Sequence, residues 1–223
     1  MEEKILIVFD IDGTLTDSVK QHQKIFTEIL FDVGVLSINS EFKTFKHHTD
    51  SYIAKVIYEN DQKELFSEAK VIQFENGLTQ KIKYESIHEI NGAKKLIELL
   101  KHNPNFGICY ATGSLRRAAE YKLESIGITF DRKQLVASDD IYEREKIVRK
   151  AIDNATEYYN IEKFDRIISV GDGLWDLITA NNLGLEFIGI GLANKTELIE
   201  NGAKIVYENL LDFISFEEHL LSK

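Results

Sequence analysis

Apolar residues along this chain follow two rhythms. Short uninterrupted runs at 4–9, 107–110, 135–137, 166–170, 187–190 and 204–206 have the length of buried strands. Between most of them apolar positions recur every three or four residues, the spacing of an amphipathic helix. Strands that are apolar on both faces and alternate with helices predict an α/β fold, a doubly wound and mainly parallel sheet covered by helices on each side. The rhythm breaks once. From Leu15 to about Ile90 the pattern is helical only, at 19–33, 50–60 and 62–74, too much chain for one crossover. Ile25, Phe26, Ile29, Leu30 and Val33 make one stripe and Ile53, Val56 and Ile57 another, as expected of a module packing its own core. The predicted organisation is a core of residues 1–15 and 91–223 with a helical domain, 16–90, inserted into it.

Composition narrows the functional classes. The 223 residues are 43% hydrophobic and 29% charged, an ordinary globular balance. A formal net charge of −10 offers no general attraction to nucleic acid or an anionic membrane, so a small-molecule partner is expected. The charge also repels phosphorylated compounds at long range, and a site for one must carry its own cations. The single cysteine, Cys109, rules out an internal disulfide. The acidic start Met1-Glu2-Glu3 differs from a signal peptide, and apolar runs are strand-sized, far short of the ~20 residues that span a bilayer. A cytoplasmic protein is expected; oligomeric state is not legible.

The chemistry lies where apolar runs end. The first run delivers Asp10-Ile11-Asp12-Gly13-Thr14, and alternation along an extended chain sends Asp10 and Asp12 to one side. An ordinary turn could use the same residues, its acids accepting backbone N–H bonds. Two like charges so close disfavour each other's ionisation unless a cation intervenes, so a metal is expected. The second run ends in Thr112-Gly113-Ser114 ahead of a helix. Thr112 and the N–H groups at Gly113 and Ser114 could hold phosphate oxygens, with Ser114 as a plain N-cap the alternative. The fourth run ends in Gly171-Asp172 with Asp176 one helical turn on, carboxylates suited to a hard cation such as Mg²⁺. After the third run, Lys146 is chosen as the phosphate-binding cation, with Arg144 and Lys150 as alternatives; Asp140 and Glu143 are taken as a capping box. Trp175 and Cys109 are expected to pack, Arg116 and Arg117 to lie on a helix surface, and His47-His48 to form a polar turn rather than a metal site.

Taken in order, Asp10-x-Asp12-Gly-Thr, Thr112-Gly113, Lys146 and Gly-Asp172-x-x-x-Asp176 resemble the four motifs of the haloacid dehalogenase superfamily, in its phosphatase branch and near the phosphoglycolate-phosphatase-like hydrolases. The third motif often reads Lys-Pro there and Lys146-Ile147 here. The resemblance implies a Rossmann-like core with an inserted helical cap, and Mg²⁺ held by Asp10, the Asp12 main-chain carbonyl and Asp172, with Asp176 in support. It implies that Asp10 attacks a small phosphorylated metabolite to give an aspartyl-phosphate. Asp12 would protonate the leaving group and then activate water, its pKa raised by neighbouring acids. Phosphate ester hydrolysis is the expected reaction. A phosphomutase, and a non-catalytic phosphate-binding protein, are the alternatives.

Overall fold

A computed structural model describes residues 3–38 and 42–216. The chain runs through β1 (Ile5–Phe9), β2 (Thr16–Asp17), α1 (Val19–Asp32), α2 (Asp50–Gln62), α3 (Glu68–Ile82), β3 (His88–Glu89), α4 (Ala93–His102), β4 (Phe106–Ala111), α5 (Arg116–Ser125) and β5 (Leu135–Val136). It continues through α6 (Arg144–Tyr159), β6 (Arg166–Gly171), α7 (Leu174–Leu183), β7 (Glu186–Ile190), α8 (Lys195–Glu200), β8 (Val206–Tyr207) and α9 (Leu210–Phe216). Six strands form one sheet in the order β5-β4-β1-β6-β7-β8, every neighbouring pair parallel.

Side-chain alternation builds two cores from one sheet. Ile5, Ile7 and Phe9 of β1 pack with Ile108, Tyr110, Ile168 and Val170 beneath α4, α5 and α9. Leu6 and Val8 point the other way, to Cys109, Ala111 and the Ile147, Val148 and Ala151 stripe of α6. Each such side chain contributes about 1.5–3 kcal/mol on burial, which explains why these strands read as continuous apolar runs. Cys109 is buried, and burial pushes its thiol pKa up.

The strand order reverses at β1, which has β4 on one side and β6 on the other. A doubly wound sheet opens a crevice outside the carboxyl ends of its strands at such a point. The chains leaving β1, β4 and β6 therefore arrive at one place.

The excursion between β1 and β4 is helical. It leaves and returns side by side, Thr16 and Asp17 of β2 pairing antiparallel with Glu89 and His88 of β3. α1, α2 and α3 enclose a separate apolar cluster of Ile25, Phe26, Ile29, Ile57, Phe74 and Leu78, and this unit caps the crevice. One expected helix shifts. The stretch expected at 62–74 is α3, Glu68–Ile82: Lys63 ends α2 in the left-handed conformation at φ 56°, and Phe74, Leu78 and Ile82 carry the buried stripe a further two turns. No helix among the described residues is long and apolar enough to cross a membrane.

Candidate active site

Two strand ends supply the acids. Asp10 follows β1, its amide donating to Val170 O at 2.9 Å, so the β1–β6 ladder holds the backbone beneath it. Asp172 follows β6, and Asp176 lies in the first turn of α7, its carboxylate accepting from Gly173 N at 3.2 Å. One carboxylate oxygen from each of Asp10, Asp172 and Asp176 lies within 4.8 Å of the others. Gly13 makes the approach possible. It turns at φ 82°, and a Cβ there would lie 2.3 Å from Asp172 Oδ2.

Arg144 sits among these acids. Its Nη2 donates to Asp10 Oδ1 at 3.0 Å and also to Asp176 Oδ1; its Nε is buried and has no acceptor among the described residues. Burial disfavours the guanidinium charge, but Asp176 and Asp10 outweigh it and hold the pKa above its usual range. Asp10 is pushed up to about 8 by burial first and the Asp176 charge second, against the pull of Arg144. Asp172 is raised by burial and then by Asp10. Oxygen donors short of positive charge are what a hard divalent cation requires, so the cluster fits such an ion.

Lys146 is not in this group. Its side chain is 66% exposed and pairs with Glu143 at 2.9 Å. The buried positions of α6 are Arg144, Ile147, Val148, Ala151 and Ala155, so helical spacing turns Arg144 inward and Lys146 outward. Nor do Asp140 and Glu143 form a capping box. Glu143 itself is the N-cap residue, without a side-chain cap bond.

The Asp12 carboxylate is engaged elsewhere. Lys122 Nζ lies 2.6 Å from Oδ1 and 2.7 Å from Oδ2; Ser18 donates to Oδ1 at 2.5 Å and Ser114 to Oδ2 at 2.7 Å. Ser114 is thus a partner of Asp12 and does not cap α5, whose N-cap is Leu115. Lys122, fully buried on α5, also donates to His22 Nδ1 at 3.0 Å. That leaves the His22 Nε2 proton for Asp50 Oδ1, 2.9 Å away. The expectation that crowding raises the Asp12 pKa is therefore corrected. Burial does push it up, but the Lys122 charge and then His22 outweigh burial and take it well below the usual carboxylate range.

The cap is seated directly on the second motif. Thr112 is buried, its Oγ1 accepting from Ser114 N at 3.1 Å. Asp50 N donates to Gly113 O at 2.8 Å, and Asp50 Oδ2 takes the Leu115 amide at the start of α5 at 3.0 Å. A Cβ on Gly113 would lie 2.4 Å from His48 O. The His47-His48 turn thereby meets the site, His48 stacking on Trp175 with ring centroids 4.4 Å apart. Trp175 packs, as expected, but on the cap rather than inside the core. Arg116, by contrast, bonds Asp139 and Leu135 O, away from the acids.

Lys122 escaped the sequence reading and Arg144 stood in it only as an alternative to Lys146, yet both carried a signal. Leu115, Ala118, Ala119, Lys122 and Leu123 fall on one face at helical spacing, as does Arg144 with Ile147 and Ala151. A cation on an apolar stripe, facing acids across the fold, is recognisable by that position.

Solved structures share this fold. The hydrolase of Pseudomonas syringae superposes with a TM-score of 0.75 at 21% identity, covering 98% of this chain and 99% of that one. CbbY from Rhodobacter sphaeroides, in complex with phosphate, gives 0.67 at 20%, with 92% and 93% covered. A predicted phosphoglycolate phosphatase from Haemophilus somnus gives 0.63 at 15%, with 97% and 99% covered. At such identities the likeness establishes the fold. No curated protein matches the sequence. The family model described as haloacid dehalogenase-like hydrolase matches residues 7–190, a span that runs from β1 through the cap and both acid-bearing strand ends to β7, and the chain belongs to that family.

Proposed function

We propose that this protein is a Mg²⁺-dependent phosphate monoester hydrolase that acts on a small phosphorylated metabolite through an aspartyl-phosphate. One observation carries the proposal: Asp10, Asp172 and Asp176 converge within 4.8 Å, with the Arg144 cation against two of them. Asp10 is the nucleophile. Its carboxylate oxygen bonds to phosphorus as the ester P–O bond breaks, dividing one hard displacement into two. The leaving oxygen takes a proton that passes from the Lys122 ammonium, 2.6 Å from Asp12 Oδ1, through Asp12, which is left ionised beside a neutral amine that recovers its proton in the second half. In the second half ionised Asp12 accepts a proton from the water that attacks phosphorus and frees Asp10. Arg144, with its unpartnered Nε, and Thr112 with Gly113 hold the phosphate oxygens; Lys146 has no part. Mg²⁺ bound by Asp10, the Asp12 carbonyl and Asp172, with Asp176 in support, supplies the charge that offsets repulsion between nucleophile and phosphate. The single buried Cys109 suits a cytoplasmic setting.

The test is phosphate release from p-nitrophenyl phosphate with and without Mg²⁺, with the Asp10→Asn protein as blank. Release by the native protein is expected to depend on Mg²⁺ and to fall at least about a thousandfold in the variant, whose thermal melt stays cooperative. Turnover retained by a folded Asp10→Asn protein rejects the mechanism.

A further inference from the structure

The cavity above Asp10 has a volume of about 190 Å³, below the roughly 300–1,000 Å³ of pockets that take drug-sized ligands. Its floor is acidic, and its roof is supplied by the cap residues Val19, Phe26, Phe42 and Ile53. One wall is aromatic, the His48 and Trp175 rings lying 15° from parallel. Of the polar cap groups at its edge, His22, Thr49 and Asp50 are already committed, and the exposed Gln23 carries no charge. His22 and Asp50 bond each other at 2.9 Å, and Thr49 Oγ1 donates to Tyr142 O at 2.9 Å. A substrate whose phosphate rests on the floor therefore presents its other end to apolar and aromatic surface.

Charge points the same way. Asp10, Asp12, Asp172 and Asp176 face Arg144 and Lys122, an excess of two negative charges. One divalent cation balances that excess, and it and Arg144 face the phosphate itself, so no cation of the site remains for a second anionic group on the substrate. A carboxylate or second phosphate held under the roof would lose its water without gaining a partner, whereas an apolar body buries favourably there.

We propose that the alcohol part of the natural substrate is compact, uncharged and largely apolar, so that the protein acts on a small alkyl or aromatic monophosphate and discriminates against bisphosphates and phosphorylated carboxylic acids. The inference rests on the hydrolase reading above and names the substrate class of the same site.

Isobutyl phosphate, 2-phosphoglycolate and 1,4-butanediol bisphosphate separate the possibilities, all having alkyl leaving groups. With Mg²⁺, kcat/KM for isobutyl phosphate is expected to exceed the other two by at least about tenfold, the discrimination a well-fitted apolar pocket provides. Calorimetric binding to the Asp10→Asn protein should show the same order. Phe42→Lys, at a half-buried position, or Ile53→Lys as a second variant, should narrow the preference by bringing a cation to the roof. A preference for 2-phosphoglycolate or the bisphosphate in both assays overturns the inference and leaves the hydrolase reading standing. The expected order in binding, with no turnover of any ester by the native protein, keeps the inference and removes the hydrolase reading.

Discussion

Replacing Lys122 by Met removes a cation while keeping most of the side chain's volume, and its effect follows from the burial of the pair. Lys122 is inaccessible to solvent and the Asp12 side chain 17% exposed, 2.6 Å apart. In the variant the Asp12 carboxylate keeps Ser18 and Ser114 and loses its only ammonium. Removing one partner of a buried pair costs about 3–5 kcal/mol, which at roughly 2–4 °C per kcal/mol for a chain of this size lowers the melting midpoint by roughly 6–20 °C. The loss must depend on pH. In the native protein Asp12 titrates below the ordinary value of 3.8, so its contribution is present above that value and lost as pH falls through the lower folded pKa. Without Lys122 the largest influence opposing burial is gone and the Asp12 pKa rises, so the variant gains less stability than the native protein as Asp12 ionises with rising pH. Asp10 and Asp172 titrate in both proteins and largely cancel from the difference. Metal-free melts should therefore show a deficit that is full near about pH 7 and shrinks toward about pH 4. Equal midpoints near neutrality, or a deficit that ignores pH, refute the pairing as the source of the effect.

Further outcomes concern the acids, the second cation and the seat of the cap. Because Asp10 is raised to about 8 and Asp172 is raised as well, Mg²⁺ must displace protons. Its affinity should weaken as pH falls below that range, by up to about tenfold per unit, and calorimetry in buffers of different protonation enthalpy should register the release; binding without release contradicts the shifts. Arg144→Ala should lower kcat/KM at least about a hundredfold, while Lys146→Ala stays within about twofold and its stability within about 0.5 kcal/mol of the native protein; the reverse order would return the phosphate-binding role to Lys146. Gly113→Ala drives a methyl into the His48 carbonyl. It should raise KM and speed proteolysis of the cap, and an unchanged protease pattern counts against the seating described here.

Much of the architecture was readable because buried parallel strands leave a plain mark. All six expected runs are strands of the sheet, with ends displaced by no more than a few residues. Helix ends were harder. The break after Gln62 rests on Lys63 taking a left-handed conformation, which propensity does not announce, so α3 was expected too early. Asp10, Asp172 and Asp176 could be placed together because each follows a strand at the same edge of the sheet. The cations could not be placed by motif alone: Lys146 occupies the familiar residue type, whereas Arg144 occupies the inward position. Lys122 lies outside every motif, and its contact with Asp12 spans 110 residues of sequence, so only tertiary structure could pair them.

The run of contacts from Asp50 through His22 and Lys122 to Asp12 has a corollary for mutagenesis. Its members belong to three helices and a strand end yet share protons and partners, so their substitution energies will not sum. Double-mutant cycles between Asp50 and Asp12 should yield interaction energies in the range of about 0.5–3 kcal/mol found for residues in one network. Variation at one of these four positions is then constrained by the identity of the other three, and a graft that transplants this cap onto another core must carry Lys122 with it.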